Sequence, residues 1–236
     1  MQFDSFDIEG PRLFVPNQHR DPRGVFAETF RADEFAEALG NVKLVQENQS
    51  LSVAPNTIRG LHFQSDPCAQ GKLVRVIRGA VLDVAVDIRP GSPTFGRYIS
   101  LELTDQNWFQ LWVPPGFAHG FRTLVANTTV VYKTSAYYSP QHDCGIAWND
   151  LDLAIDWQLE GMEPVLSAKD SAQPSFKGWS AKAGIKSGIS DRPKGNRSDH
   201  PQAQVSGPGD DENVNVIDYP GVAKKGGNWR LAGPVS

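Results

Sequence analysis

The sequence predicts an all-β fold, an antiparallel sandwich or barrel, and two observations carry that prediction. Up to about residue 156, short runs rich in β-branched and aromatic residues alternate apolar with polar positions. Turn-forming segments separate these runs at short intervals, as in antiparallel architectures. The 236 residues are enough for one large β domain, or for one domain with an appendage.

One short helix is predicted near the N-terminus. The segment RADEFAEALG, Arg31 to Gly40, places acidic residues early and a glycine at its end. Acidic side chains are favourable in the first turn of a helix, and glycine is the preferred residue after the last turn. We expect this segment to be the only clear helix of the chain.

The predicted strands follow in order after the helix. The segment Lys72 to Ile88 alternates apolar and polar residues on both sides of Gly79, which predicts two half-buried strands joined at a turn. GRYISLEL and FQLWVP predict two more strands, separated by the turn residues TDQN. TTVVYKTSAYY predicts a further strand from its β-branched and aromatic content.

The composition changes near Trp179. From there to Ser236 the chain is rich in Gly, Pro, Ser, Asn and Asp, and SDRPKGNRSDHPQAQVSGPGDDEN has almost no apolar residue to bury. We therefore predict a folded domain over residues 1–178 and an irregular C-terminal extension over residues 179–236 without a core of its own.

Charge, cysteine content and hydropathy exclude several functional classes. The net charge of −4 and the pI of about 5.7 give no basic character for nucleic acid or an anionic membrane. Cys68 and Cys144 are too few for a disulfide framework, so we expect two free thiols in a reducing cytoplasm. The acidic N-terminus resembles no signal peptide, and no apolar run reaches the roughly 18 residues of a membrane helix.

Polar and aromatic residues that could bind a ligand or take part in catalysis occur in short blocks along the whole β region. Strands far apart in sequence can direct such residues into one cavity of a β barrel. The candidate residues are Arg23, Phe26, Glu28, Gln46, Asn48, Arg59, His62, Lys72, His119, Tyr132, Tyr138, Lys169 and Asp170.

A metal site is the first hypothesis to weigh. Metal-binding barrels of the cupin type offer a closely spaced histidine pair and a carboxylate, but here Gln64 occupies the position of the second histidine after LH. His119 follows PPG, much as in a second cupin motif. Two histidines without a paired partner are a weak basis for a zinc or iron site.

A proton-transfer site agrees better with these residues. Histidine titrates near neutrality and can take a proton from carbon, particularly when a carboxylate such as Asp170 fixes its tautomer. Tyr132 holds its proton at neutral pH and could act as the acid. Lys72 could stabilise an enolate oxygen with its positive charge. Each of these residues taken alone could equally be structural.

Taken together, the blocks closely resemble the dTDP-4-dehydrorhamnose 3,5-epimerase family. The resemblance rests on RGLHFQ, QGKLVRVIRGAVLDVAVDIR, SPTFGRY, QLWVPPGFAHGF, VVYKTSAYYSP and GIAWND, with DPRGVFAETF and VQENQS before them. It runs in order from about Phe3 to about Pro174. It implies a cupin-type jelly roll that uses no metal, no nicotinamide and no other cofactor. The segment after about Trp179 has no counterpart in the family pattern.

The resemblance also implies a reaction and the residues that perform it. The family inverts C3 and C5 of dTDP-4-dehydro-6-deoxy-D-glucose, which gives dTDP-4-dehydro-L-rhamnose for dTDP-L-rhamnose biosynthesis. By motif, His62 resembles the general base and Asp170 the carboxylate that orients it. Lys72 resembles the group that stabilises the enolate, and Tyr132 the acid on the opposite face.

Further residues resemble the family's contacts with the nucleotide sugar. Arg59 and Arg23 resemble the diphosphate contacts, for which the arginine fork is well suited, and Tyr138 and Phe26 resemble the aromatic pair around thymine. Asp143 stands where many members carry a glutamate, and Glu47 and Gln49 differ from the commoner residues. The remaining expected substrate contacts are Glu28, Gln46, Glu47, Asn48, His119, Asp143 and Lys169.

Three alternatives remain open at this point. Some relatives epimerise only C3 or only C5 of other dTDP-4-keto sugars, and the domain could also be a catalytically silent nucleotide-sugar-binding module. A metal-dependent cupin oxygenase is disfavoured by Gln64. The resemblance further implies a homodimer in which the N-terminal segment with Arg23, Phe26 and Glu28 crosses to the neighbouring site. We expect no membrane or nucleic-acid partner.

Overall fold

The computed structural model describes residues 1–185, together with the backbone of two strands, Val222–Lys225 and Asn228–Leu231. These two strands, β14 and β15, pair in antiparallel fashion within the predicted extension. Apart from these two strands, the residues of that extension beyond 185 lie outside the described residues. The prediction that residues 179–236 have no core therefore stays a prediction.

Two antiparallel sheets form the body of the structure. In spatial order, the first sheet contains β1 (Gln2–Ser5), β2 (Arg12–Val15), β10 (Gln110–Val113), β7 (Lys72–Arg78), β12 (Thr128–Thr134) and β5 (Gln46–Ser52). The second sheet contains β13 (Asp143–Gly145), β6 (Ile58–Gln64), β11 (Phe117–Thr123), β8 (Ala80–Asp87) and β9 (Tyr98–Thr104). The predicted all-β jelly roll is confirmed.

The main core lies between the two sheets. Its buried side chains come from strands of both sheets, among them Val74 and Val76 of β7 and Val81 and Ala85 of β8. Apolar burial of this kind is the dominant favourable contribution to folding. The core fills one part of the space between the sheets and leaves another part open for a polar cavity.

The predicted strand pair on either side of Gly79 is only partly right. The two strands exist, but they diverge at Gly79 into opposite sheets, β7 into the first and β8 into the second. Every residue of β8 after Ala80 is buried, so β8 is not half-buried as predicted. The reason is that its outward residues Val84 and Val86 pack against a second apolar cluster.

This second cluster lies on the outer side of the second sheet and is covered by the C-terminal part of the domain. Ile146, Leu153, Trp157 and Phe176 are its buried members from that segment. Because the sheet is covered on both faces, β8 carries apolar residues at successive positions and loses the simple alternation. A long segment without strands therefore completes the fold.

Helix α1 (Ala32–Leu39) confirms the predicted N-terminal helix, and Gly40 ends it with a positive φ of 75°. Its Phe35 stacks on Phe14 of β2 with ring centroids 4.2 Å apart, which attaches the helix to the outer face of the first sheet. Two further short helices were not predicted: α2 (Ala168–Ser171) and α3 (Phe176–Lys182).

Helix α3 continues across the predicted domain boundary between residues 178 and 179. Trp179 packs edge-on against Phe63 of β6, with ring centroids 5.3 Å apart, and also lies against Phe176. The hydroxyl of Ser175 accepts a hydrogen bond from the backbone N–H of Gly178 and caps the helix. Residues up to 185 thus pack on the β domain.

A separate hairpin consists of β3 (Gln18–Asp21) and β4 (Gly24–Ala27). Within the described residues these two strands pair only with each other. The hairpin carries Phe26, whose side chain is 70% exposed.

Candidate active site

A polar cavity of about 250 Å³ opens between the two sheets. Its walls come from β5, β7 and β12 of the first sheet, from β6 and β13 of the second, and from α2 and neighbouring loops. The lining residues are Gln46, Asn48, His62, Phe63, Gln64, Gln70, Lys72, Tyr132, Tyr138, Asp143 and Lys169. Eight of these eleven are among the residues that the sequence analysis selected.

His62 and Asp170 form a hydrogen-bonded pair at one wall of this cavity. The His62 Nε2 atom lies 2.6 Å from Asp170 Oδ1, and Ser167 donates a hydrogen bond of 2.7 Å to Asp170 Oδ2. Burial alone would raise the pKa of Asp170, but the hydrogen bonds from His62 and Ser167 outweigh it and hold the pKa below its usual value.

This pairing fixes the tautomer of His62. An ionised carboxylate only accepts hydrogen bonds, so His62 Nε2 carries the proton that points to Asp170. The lone pair of the neutral ring is then on Nδ1, which is free to accept a proton from a ligand. The predicted carboxylate partner is therefore placed where a general base needs it.

A local irregularity of β6 brings Arg59 and His62 to the same side of the sheet. His62 pairs with His119 and Arg59 with Phe121, so β6 has one residue more than β11 between these pairs. Such a bulge reverses the alternation of side chains, and residues three apart then face the same way. Arg59 lies near enough to lower the pKa of Tyr132, against the larger effect of burial.

Lys72 and Tyr132 face His62 from the opposite sheet. Lys72 of β7 pairs with Thr134 of β12, and Tyr132 pairs with Val74, so the two side chains share one face. The Lys72 ammonium donates a hydrogen bond of 3.2 Å to the His62 carbonyl oxygen. Burial lowers the pKa of Lys72 to about 8, and burial raises the pKa of Tyr132 above 10.

Tyr138, Asp143 and Lys169 form a cluster at the cavity mouth. Asp143 Oδ2 accepts a 3.0 Å hydrogen bond from the Tyr138 hydroxyl and is also paired with the Lys169 ammonium. The hydrogen bond to Asp143 raises the pKa of Tyr138. The aspartate at position 143 is therefore long enough to contact both neighbours.

Three candidate residues, Glu47, His119 and Arg59, are not among the residues that line this cavity. Glu47 lies on the opposite face of β5 from Gln46 and Asn48, where it pairs with Lys133. His119 is buried, and its Nε2 atom lies 2.9 Å from Asp83 Oδ1.

Arg59 is half-buried and is held by Ser52 and the Leu51 carbonyl oxygen. The substrate contacts predicted for Glu47, His119 and Arg59 stay predictions.

The structure does not bring Arg23, Phe26 and Glu28 to this cavity. Arg23 and Phe26 lie on the β3–β4 hairpin beside a separate surface concavity of about 440 Å³. Arg23 is paired there with Asp21, whose Oδ2 atom accepts hydrogen bonds from both Nε and Nη2 of the guanidinium. In the described structure these residues therefore lie apart from the cavity that contains His62.

Sequence reasoning missed several residues of the site. Ser167 was overlooked, although SAKD is the spacing at which a serine caps a helix and contacts an acidic residue three positions later. Gln70 was also overlooked. Gln64 was considered only as a lost metal ligand, although strand alternation places it on the same face as His62.

Within residues 1–185, no group of three or more His, Cys, Asp or Glu side chains is arranged to hold a metal ion. The metal-free mechanism remains a prediction. None of the described helices has the length and apolar character needed to cross a bilayer.

Known proteins are similar to this chain in sequence and in fold. A family model described as dTDP-4-dehydrorhamnose 3,5-epimerase matches residues 5–178. An enzyme of that name from Sinorhizobium fredii is 52% identical over 176 residues, which are 75% of this chain and 90% of the relative.

Two solved structures illustrate the range of specificity among these relatives. A 3,5-epimerase from Legionella pneumophila in complex with dTDP-4-keto-L-rhamnose is 42% identical with a TM-score of 0.73, covering 77% of this chain and 95% of that one. The 3'-monoepimerase ChmJ from Streptomyces bikiniensis, in complex with dTDP-quinovose, is 33% identical with a TM-score of 0.71, covering 77% and 90%.

Proposed function

Because the chain belongs to the dTDP-4-dehydrorhamnose 3,5-epimerase family, we propose that it inverts C3 and C5 of dTDP-4-dehydro-6-deoxy-D-glucose. The product is dTDP-4-dehydro-L-rhamnose, an intermediate of dTDP-L-rhamnose biosynthesis. The observation that carries this proposal is the His62–Asp170 pair on one wall, opposite Tyr132 and Lys72 on the other. Two proton-transfer groups on opposite walls are what inversion at carbon requires.

The reaction begins with removal of a carbon-bound proton. The 4-keto group of the substrate acidifies the protons on C3 and C5. His62 Nδ1 accepts one of them, and Asp170 stabilises the imidazolium that results. The negative charge moves to the oxygen on C4, where the Lys72 ammonium stabilises the enolate. With a pKa of about 8, Lys72 still carries its charge at neutral pH.

Reprotonation comes from the other side of the sugar ring. The Tyr132 phenol, whose pKa lies above 10, keeps its proton at neutral pH and can donate it to the carbanion. Because His62 and Tyr132 belong to different sheets, the proton returns to the face opposite the one it left. The centre is therefore inverted. Once His62 has released its proton to solvent and Tyr132 has taken one from solvent, repetition at the second carbon completes the reaction.

Substrate binding uses the rest of the cavity. We assign the thymine contact to Tyr138 and the diphosphate contact to Arg59, whose guanidinium can pair with two phosphate oxygens at once. Gln46, Asn48, Asp143 and Lys169 line the same cavity. The structure of the Legionella pneumophila relative with dTDP-4-keto-L-rhamnose supports a dTDP-linked ligand.

We propose that the active protein is a homodimer in which the β3–β4 hairpin of each chain completes the site of the other. The exposure of Phe26 and the separation of the hairpin from both sheets support this arrangement. Arg23, Phe26 and Glu28 would then contact the nucleotide bound by the neighbouring chain. We place the enzyme in the cytoplasm, where its two cysteines, both free thiols, would stay reduced.

Deuterium incorporation tests the proposal directly. The protein is incubated with dTDP-4-dehydro-6-deoxy-D-glucose in deuterated water, and the labelled carbons are counted by NMR. Label at both C3 and C5 with formation of the L-rhamno product is expected. Label at one carbon alone would indicate a mono-epimerase, the activity of ChmJ. Binding without any label would indicate a silent nucleotide-sugar-binding module.

A further inference from the structure

Gln64 uses its whole side-chain amide to hold backbone atoms of two loops. The side chain is 6% exposed and lies in the cavity wall beside His62. Its Nε2 atom donates to the carbonyl oxygens of Cys68 at 2.6 Å and Tyr137 at 3.1 Å. Its Oε1 atom accepts a 2.6 Å hydrogen bond from the Ser139 backbone N–H. The amide thus joins the β6–β7 loop to the loop that follows β12.

A second glutamine holds the residue between these two contacts. Gln46 of β5 accepts a 3.0 Å hydrogen bond from the Tyr138 backbone N–H and donates to Asn48 Oδ1 at 2.9 Å. Gln46 and Gln64 belong to different sheets. The three consecutive residues 137–139 are therefore fixed from both sides of the cavity by two amide side chains, which we name the glutamine clamp.

The clamp acts on a side chain that packing does not hold. The Tyr138 ring is 56% exposed, and the side-chain contact described for it is the hydrogen bond from its hydroxyl to Asp143. An exposed ring on a free loop would lose conformational entropy on binding a planar base. Fixing the backbone on both sides of Tyr138 removes much of that loss before the ligand arrives.

We infer that Gln64 is a positioning residue for nucleotide recognition, which holds Tyr138 in the orientation that receives the base. This inference rests on the proposed function, because it takes the Tyr138 ring as the thymine contact. It assigns a use to the position where metal-binding cupins carry a second histidine. Both ends of the amide are needed, since a carboxylate at this position could not donate to Cys68 and Tyr137.

The test combines Gln64→Met with Gln64→Glu and the matched control Asn107→Leu. Gln64→Met keeps length and volume but removes all three hydrogen bonds, and Gln64→Glu keeps the shape and one acceptor. Asn107 makes three similar bonds to the backbone at the β9–β10 turn, where it accepts from Thr104 and Phe109 and donates to Glu102. It thus reports the effect of losing a buried, backbone-bound amide away from the cavity.

Binding of dTDP is measured by calorimetry, with kcat and KM from the epimerase assay. For both Gln64 variants we expect dTDP affinity about tenfold weaker and KM raised to a similar extent, with kcat within about threefold of wild type. Asn107→Leu is expected to lower Tm without changing dTDP affinity. In a Tyr138→Ala background, Gln64→Met should weaken dTDP binding by less than twofold, because the residue acts through the ring.

The outcomes separate the inference from the proposed function. Wild-type protein that neither binds dTDP nor epimerises would overturn both. Active wild type with unchanged dTDP affinity in Gln64→Met and Gln64→Glu would overturn the clamp alone. So would full additivity of Gln64→Met and Tyr138→Ala, since that would mean that Gln64 affects binding independently of the ring.

Discussion

At the scale of single residues, the chemistry depends on side chains that are far apart in sequence. His62 and Asp170 are separated by 108 positions, yet their side chains are 2.6 Å apart. The residue types and their motif context predicted most of the cavity, because strand alternation and family resemblance both select inward positions. Gln64 and Ser167 were missed because their contribution is a set of hydrogen bonds to backbone and carboxylate atoms, which residue type alone does not reveal.

The division of labour between His62 and Tyr132 gives the first prediction. His62→Ala should abolish deuterium exchange at both C3 and C5, because no carbanion can form; general acid–base groups contribute about a hundred- to ten-thousand-fold. Tyr132→Phe keeps the ring and its packing but removes the proton donor. In that variant, exchange from the His62 face should persist while net inversion is lost.

Both variants are assayed on one substrate preparation, with deuterium incorporation followed by NMR beside product formation. Wild type in the same assay gives the ratio of exchange to inversion. Exchange that survives in His62→Ala would contradict the assignment of the base. A parallel fall of exchange and inversion in Tyr132→Phe would contradict the assignment of the acid.

The lowered pKa of Lys72 gives a prediction about pH. Because burial lowers that pKa to about 8, kcat/KM should fall as pH rises through 8, when the enolate loses its cationic partner. Burial raises the pKa of Tyr132, so loss of the phenol proton is not expected to cause this decline. In Lys72→Arg, whose charge persists to higher pH, the decline in kcat/KM should move to higher pH even if the overall rate is lower.

The lowered pKa of Lys72 also predicts how the stability of the folded protein changes with pH. Between pH 8 and 10.5 the unfolded chain binds more protons at Lys72 than the folded chain does. The free energy of unfolding therefore increases as the pH rises through this range. Relative to Lys72→Met, wild-type protein should become more stable in urea titrations from pH 7.5 to pH 10. A pH-independent difference between the two proteins would argue against the lowered pKa.

At the scale of elements, the strands and α1 follow from sequence, and the short helices do not. Helix α1 has eight residues with acidic residues at its start and glycine at its end, whereas α2 has four residues and shows no apolar periodicity. The burial of β8 on both faces could not be predicted either, because one face is covered by side chains from Ile146 onward, which are distant in sequence. The bulge in β6 has no signature in a single sequence except Gly60.

Gly60 offers a test of that bulge. A Cβ atom at this position would lie 2.6 Å from Gly120 Cα and 2.8 Å from the His119 carbonyl oxygen. Gly60→Ala must therefore displace β6 from β11, and we expect a loss of about 3 kcal/mol in the free energy of unfolding together with lower activity, since His62 follows two residues later.

Gly24 is the matched control for Gly60. Its φ of +134° is nearly the same as the +133° of Gly60, but a Cβ atom there would have no heavy atom within 4 Å. Gly24→Ala should lose only about 1 kcal/mol, the cost of the backbone conformation alone. Both values come from urea denaturation. Equal losses in the two variants would mean that the close approach of β6 to β11 does not determine the requirement for glycine.

At the scale of the whole molecule, the cavity that the structure describes is lined only by residues of the β domain. Every lining residue precedes residue 170, and α3 ends at Lys182. We predict that a chain truncated after residue 185 folds and keeps kcat/KM within about twofold of the full chain, because polar sequences of this composition cannot form a core. A large drop in kcat for the 1–185 chain, in a protein that circular dichroism shows to be folded, would mean that the extension takes part in the site.

Truncation after residue 178 is the comparison, because it removes the packing of Trp179 on Phe63 and should lower Tm.

The last prediction concerns the exchange of hairpins between two chains. If Arg23 acts at the partner's cavity, Arg23→Ala and His62→Ala homodimers each lack one part of every site. A mixed dimer of the two variants has one site with His62 from one chain and Arg23 from the other. Mixing the two proteins under conditions that allow subunit exchange should therefore restore up to a quarter of wild-type activity, since half of the dimers are mixed and each has one intact site.

Light scattering and two control mixtures complete this experiment. Wild-type protein should have the mass of a dimer at micromolar concentration. Arg23→Ala mixed with itself, and His62→Ala mixed with Lys72→Met, should gain nothing, because His62 and Lys72 line the same cavity of one chain. A fully active monomer would refute the shared site. So would a dimer whose Arg23→Ala and His62→Ala mixture shows no recovery after exchange has been verified by mass spectrometry, because the hairpin would then serve its own chain.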